Sequence, residues 1–343
     1  MESESAMTSP NPEPQAPRYA AVGAGRMGRG IALAFAWAGH RIALIDLRRR
    51  DAQALQALRA DVDAELRASL AALVELGAID ATLTDAVLAR IVWTPQERAD
   101  EALAGAALVL EGVTETLEAK REAFERIGCC CAADALVAST TSSIAVDRLA
   151  AMVRGPKRFL NMHWLNPAYL MPVVELSVHA GTDAGALART RELLESIGKL
   201  PVVCGAAPGY IVPRLQALIM NEAARMVEEG AASAEDIDRA TRFGLGLRFA
   251  ALGVLEFVDF GGVDILYHAS RELGESVSAQ RYATPEVIRA MMGRGELGLK
   301  TGRGFYDHAA RDGRAYRLDV LRRSLEMLHH ARLWHPPSPD TLG

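Results

Sequence analysis

Lysine is scarce in this chain. Lys120, Lys157, Lys199 and Lys300 are four of its 38 basic residues, and the other 34 are arginine. Abundant alanine and glycine make base composition the plain cause, yet each remaining lysine becomes worth locating. Cysteine is scarce too: Cys129, Cys130 and Cys131 are adjacent, and Cys204 stands alone. No CxxC spacing occurs, and three consecutive cysteines cannot build an ordinary disulfide framework. Reduced thiols in a cytoplasmic protein are therefore expected. Long apolar runs are missing. Stretches such as 31–39 and 102–110 fall short of the ~18–20 residues that a bilayer needs, so no spanning helix is expected. A basic excess is also absent. The net charge of -5 argues against a nucleic-acid or membrane-surface partner. His179, His268, His308, His329 and His330 have no metal-ligand spacing, so no metal is expected.

What is present reads as a soluble globular protein. Half of the 343 residues are hydrophobic and 24% are charged, and the length suits about two domains. Residues 1–17, acidic and proline-rich, resemble no signal peptide and read as a disordered tail. From Arg18 short β-like runs alternate with helical ones. Strands are expected at 19–22, 42–45, 106–110, 136–139, 158–163 and 173–178, with helices at 29–38 and 52–76. Such alternation predicts an α/β fold with a doubly wound parallel sheet. Beyond Pro208-Gly209 the period is helical, at 211–229, 233–243, 254–273, 284–292 and 317–333. Ser233 with Asp236 suggests a capping box, and Pro285 suits a first helical position. The expected division is a sheet domain over 18–205, an all-helical domain over 206–333 and a tail over 334–343.

Gly23-Ala24-Gly25-Arg26-Met27-Gly28 is a GxGxxG after a strand and before a helix, with Asp46 at the end of the next strand. That context fits a dinucleotide fingerprint. Gly23 permits the tight turn, Gly25 lets the backbone approach a pyrophosphate, and Gly28 lets helix and strand pack closely. The helix N-terminus offers free N–H groups to phosphate. Asp46 can accept both ribose hydroxyls and repels a 2′-phosphate, which favours NAD over NADP. Arg48, Arg49 and Arg50 lie close enough to keep NADP in play.

Further motifs run along the chain: Ala138-Ser139-Thr140-Thr141-Ser142-Ser143, His163-Trp164-Leu165-Asn166-Pro167 with Glu175 beyond it, Pro208-Gly209-Tyr210-Ile211-Val212, and Gly298 to Tyr306. Across about 18–308 this text resembles the L-3-hydroxyacyl-CoA dehydrogenase family. The resemblance implies a Rossmann-type domain followed by a helical one that dimerises. It also implies NAD-dependent oxidation of an L-3-hydroxy group to a 3-keto group, placed in fatty acid metabolism. A base must take the hydroxyl proton, and histidine suits that task. His163 and Glu175 flank a turn, so a carboxylate can orient the imidazole. By the same resemblance Ser142 is catalytic and bonds the substrate oxygen. Gly23, Gly25, Met27, Gly28, Asp46, Glu115, Lys120, Asn166 and Lys300 face the cofactor, and Asn166 also faces substrate. Ser142 can instead cap a helix over 144–150, and Glu115 and Lys120 can be a plain helical pairing.

Three departures matter. The family's asparagine after PG[FY]IV is Pro213 here, which Gln216, three residues on, could replace on the substrate side. The asparagine of SNTSS is Thr140. The helix over 52–76 has no lysine, and Arg59 and Arg67 stand against Asp61, Asp63, Glu65 and Glu75. A CoA phosphate would want more positive charge. Gly244 to Ala250 looks like the corresponding segment in L-gulonate and L-carnitine dehydrogenases, where Arg248 could pair a substrate carboxylate. An acyl-CoA substrate leads, a free 3-hydroxy acid is the alternative, and a non-catalytic NAD-binding protein is the outside one.

Overall fold

The computed structural model describes residues 16–336, so most of the expected 1–17 tail and all but 334–336 of the terminal one lie outside it. The chain divides into two compact units that part between Leu218 and Ile219.

The first unit is built on eight strands: Tyr19–Val22 (β1), Ile42–Ile45 (β2), Ile91–Thr94 (β3), Leu108–Glu111 (β4), Leu136–Ser139 (β5), Phe159–Trp164 (β6), Val173–Ser177 (β7) and Leu200–Cys204 (β8). Their order is β3-β2-β1-β4-β5-β6-β7-β8. All neighbours run parallel except β6 and β7. The first six strands follow the order of a Rossmann-type sheet. Successive side chains leave a strand on opposite faces, and two cores result. Ala21, Leu44, Leu110 and Ala138 pack under the helices Arg26–Trp37 and Ala52–Glu75. Ala20, Ala43, Val109 and Val137 pack under Leu117–Cys130 and its neighbours on the other side.

Beyond the sheet unit the described elements are helical. They run from Val212–Glu228, which carries the junction, through Ala234–Ala240, Leu247–Ala251, Val254–Gly261, Val263–Ser276 and Glu286–Arg294 to Gly313–His330. Ser233 caps its helix by accepting the Asp236 N–H at 3.1 Å. Two expectations need correction. The helix expected over 254–273 is broken at Gly262, whose φ of +118° admits no ordinary side chain and whose Cβ would strike Lys300. Pro285 precedes its helix as the N-cap rather than opening it. No described helix is long and apolar enough to cross a membrane.

Candidate active site

The turn after β1 is shaped for close approach. Gly23 holds φ +106°, and a Cβ there would come within 2.5 Å of the Gly112 carbonyl oxygen. A Cβ on Gly28 would run into the Gly23 carbonyl, whereas the space in front of Gly25 is open. The helix Arg26–Trp37 starts there with no side chain over its first N–H groups. Gly23, Gly25, Asp46, Arg48, Gly112 and Thr114 help line a cleft of about 340 Å³. It lies between the carboxyl ends of β1 and β4, where the strand order reverses. A backbone cradle beside a buried carboxylate, Asp46, fits a dinucleotide. Met27 is half-buried against the core. Asp46 is buried, pairs Arg50 Nε at 2.5 Å, and accepts the Arg48 N–H at 3.4 Å. Arg48 also reaches Thr114 Oγ1 at 2.9 Å.

The antiparallel register sets His163 directly opposite Glu175. Their side chains meet at 2.9 Å, Nδ1 to Oε2, with Glu175 fully buried. Glu175 Oε1 accepts the backbone N–H groups of Ile211 and Val212, each at 2.8 Å. An ionised carboxylate only accepts, so Nδ1 carries the hydrogen and Nε2 is left as the basic nitrogen. Tyr210 stacks on the imidazole, with centroids 4.6 Å apart and planes 16° from parallel.

Ser142 sits exposed on the turn after β5, and its hydroxyl makes no hydrogen bond among the described residues. Glu115 Oε1 anchors that turn. It accepts the N–H groups of Ser142 at 3.2 Å and Ser143 at 3.3 Å, the Ser143 hydroxyl at 2.9 Å, and the Thr141 hydroxyl. Ser142 is not a helix cap: the helix Val146–Ala150 starts from Ala145 without a side-chain cap. Glu115 Oε2 meets Lys120 Nζ at 3.1 Å. Lys120 is only 1% exposed and also donates to both oxygens of Glu111 at 3.0 Å. Burial pushes the Glu115 carboxyl up, but the Thr141 hydroxyl and the Lys120 charge outweigh it and hold the carboxyl below its ordinary value.

Other expected residues make none of these hydrogen bonds. Asn166 is exposed at the start of the loop joining β6 to β7. Gln216 is exposed, without a hydrogen bond among the described residues, on the helix whose first turn holds Pro213. In the second unit Lys300 grips Asp264 at 2.6 and 2.8 Å. Arg248 there is exposed, with its guanidinium over the Phe257 ring at 4.9 Å. The cysteine triplet ends the helix Leu117–Cys130, with Cys129 exposed and Cys130 and Cys131 half-buried. No group of three or more His, Cys, Asp or Glu among the described residues could hold a metal.

Sequence reasoning missed several contributors. Glu111 closes an otherwise apolar strand, a charge whose only hint is its position. Lys199 donates to the carbonyls of Ala168 and Met171, each at 2.8 Å, and so pins the loop between His163 and Glu175. Burial lowers its pKa. Arg29, at the fingerprint helix, is buried between Glu65 and Asp61, the latter at 2.6 Å. On that acidic helix Arg67 is held by Asp63 and Asp85, both at 3.0 Å. Arg59 is exposed and makes no ion pair among the described residues.

Residues 18–207 match the family model described as 3-hydroxyacyl-CoA dehydrogenase, NAD binding domain, and residues 209–308 match its C-terminal domain. A 3-hydroxybutyryl-CoA dehydrogenase of Bradyrhizobium diazoefficiens is 34% identical over 287 residues, spanning 84% of this chain and 94% of that protein. A 5-formyl-3-hydroxy-2-methylpyridine 4-carboxylate 5-dehydrogenase of Mesorhizobium japonicum is 29% identical over 314 residues, spanning 90% and 97%. The crystal structure of a 3-hydroxyacyl-CoA dehydrogenase from Archaeoglobus fulgidus superposes with a TM-score of 0.70 at 32% identity, covering 92% of this chain and 99% of that one.

Proposed function

The chain belongs to the 3-hydroxyacyl-CoA dehydrogenase family, and from that premise we propose that it oxidises the L-3-hydroxy group of a 3-hydroxyacyl-CoA to the 3-keto group. It is an NAD-dependent oxidoreductase. When bound, NAD supplies the hydride acceptor. Gly23, Gly25, Met27, Gly28 and Asp46 would hold it, with Glu115, Lys120, Asn166 and Lys300 assigned to its nicotinamide side. His163 Nε2 takes the hydroxyl proton as the carbonyl forms. Glu175 keeps the imidazole in that tautomer and stabilises the imidazolium that results. Ser142 donates to the substrate oxygen.

The observation that carries this reading is the His163–Glu175 pair, a base whose other nitrogen is fixed by a buried carboxylate. His163→Gln should lower kcat by about 10²–10⁴-fold, the usual contribution of a general base, with NAD affinity unchanged. Turnover at the wild-type rate would mean that the base lies elsewhere.

A free hydroxy acid is the second reading, favoured by the acidic helix Ala52–Glu75. Its carboxylates already hold Arg29 and Arg67, which leaves little charge for a CoA phosphate. The Mesorhizobium relative is named for a carboxylate substrate. Steady-state rates with 3-hydroxybutyryl-CoA against carnitine and gulonate separate the two. Selective use of a free acid, lost in Arg248→Ala, decides for the second.

The proposal extends to a cytoplasmic homodimer in fatty acid metabolism, with 18–205 as the dinucleotide domain and 206–333 serving substrate and dimerisation. Gln216 is assigned to the substrate side in place of the missing asparagine. Free cysteines support the compartment, and exposed apolar side chains such as Met220, Leu255 and Ile265 support the dimer.

A further inference from the structure

Tyr210 is the residue that touches most of the site without having been expected there. Its ring lies flat on the His163 imidazole. Its hydroxyl donates to the Thr141 carbonyl at 2.7 Å, one residue before Ser142. Asn161, on β6 two residues before His163, donates to that hydroxyl at 3.2 Å and to the Ile144 carbonyl at 2.9 Å, two residues after Ser142. The Ser142 turn is thus pinned on both sides. The backbone after Tyr210 contributes the two N–H groups that hold Glu175.

The local conformation is a costly one to keep. Tyr210 has φ +48°, a region few non-glycine residues occupy, and such strain persists only where the surroundings over-determine it. Burial pushes the phenol above its ordinary range, so the hydroxyl stays a neutral donor across the working pH. A phenylalanine would fill the same space and make the same stack, so packing alone gives no reason for the oxygen.

We propose that Tyr210 is a positioning residue that sets the distance between His163 and Ser142, holding the base by its ring and the Ser142 turn by its hydroxyl. This rests on the roles given to His163 and Ser142 above. Base and oxygen donor must address one substrate carbon–oxygen bond together, and small misplacements there are expensive.

Tyr210→Phe keeps the ring and removes the tether. With whichever of 3-hydroxybutyryl-CoA, carnitine or gulonate the wild type turns over best, kcat should fall about three- to ten-fold, the worth of one hydrogen bond. KM and NAD affinity should stay near wild type. In a Ser142→Ala background the same change should cost little more, because the turn then carries no acting group. Asn161→Ala, which removes the hydrogen bond to the Ile144 carbonyl on the far side of the turn, should repeat the pattern. A Tyr210→Phe enzyme at wild-type kcat overturns the proposal. So does a full fall repeated on top of Ser142→Ala, the signature of a merely structural role. His163→Gln active at the wild-type rate overturns the base assignment instead, so the two failures read differently.

Discussion

The two units solve the same problem by different means. The first closes apolar cores on both faces of its sheet, and their largest fully buried side chains include Phe35, Phe124, Phe159 and Leu70. The second has a small buried apolar cluster of Val263, Ile288 and Met291, with Ile237, Leu252 and Val320 buried outside it, and its organising centre is polar. There Asp259, fully buried, accepts the N–H groups of Phe305 and Tyr306 and meets His308 Nε2, each at 2.9 Å. Meanwhile Ile265 is 60% exposed and Met220 63%. A unit with its own core can hold reacting groups at fixed separations. One whose apolar surface stays outside suits contact with another protein surface.

Removing a buried charge tests the first half of that comparison most severely. Lys120→Met would leave the Glu111 carboxylate buried with the Ser139 hydroxyl and the Val113 N–H but no counter-charge. Breaking one partner of a buried pair costs about 3–5 kcal/mol. Equilibrium urea unfolding, followed by a probe in the sheet unit, should show a loss of that size. A loss below about 1 kcal/mol would mean that water reaches Glu111 and that the first unit is looser than its burial implies.

The same contrast explains what the sequence made legible. β1, β2 and β5 lie where expected to the residue, because central strands covered on both faces are written as unbroken apolar runs. β3 and β8 went unread. They are the sheet's edges, half-buried or exposed along much of their length, and β8 contains Pro201. The His163–Glu175 contact was legible because a hairpin places near neighbours opposite each other. Arg29 with Asp61, or Tyr210 with Thr141, joins residues 32 and 69 positions apart, a distance over which no local pattern carries information. Of the four lysines, Lys120 and Lys199 are buried on several oxygens, where a compact ammonium with three donors suits the space.

Acid titration sharpens the comparison by a smaller effect. Glu115 in the first unit and Asp264 in the second are both held below their ordinary values of 4.5 and 3.8. For Glu115 burial opposes the shift, and the Thr141 hydroxyl and Lys120 overcome it. For Asp264 the hydrogen bond from Lys300 leads. A carboxyl with a depressed folded value stabilises above its unfolded value and loses that contribution as pH falls through the folded one. Stability should therefore decline below about pH 4.5 in a way that Glu115→Gln flattens. The Asp264→Asn change should flatten only the part below about pH 3.8. Melting curves across pH 2–6, roughly the carboxylate range, check this. Identical profiles for wild type and Glu115→Gln would detach the Ser142 turn from its acidic anchor.

The smallest expected change in stability falls on the exposed faces of the second unit. Ile265→Ser removes an apolar side chain that the isolated chain leaves in water, so its unfolding free energy should move by no more than about 0.5 kcal/mol. If a second copy covers that face, sedimentation equilibrium should show weaker self-association while the unfolding of the separated chains is unmoved. The physical difference is one of reference state. Covering the exposed 60% of that side chain in a dimer would stabilise by about 1–2 kcal/mol per copy, and that part is absent before association. Loss of stability in the separated chain would place Ile265 within the unit's own packing and remove the contrast with the first unit. Unchanged self-association would exclude Ile265 from any contact between copies.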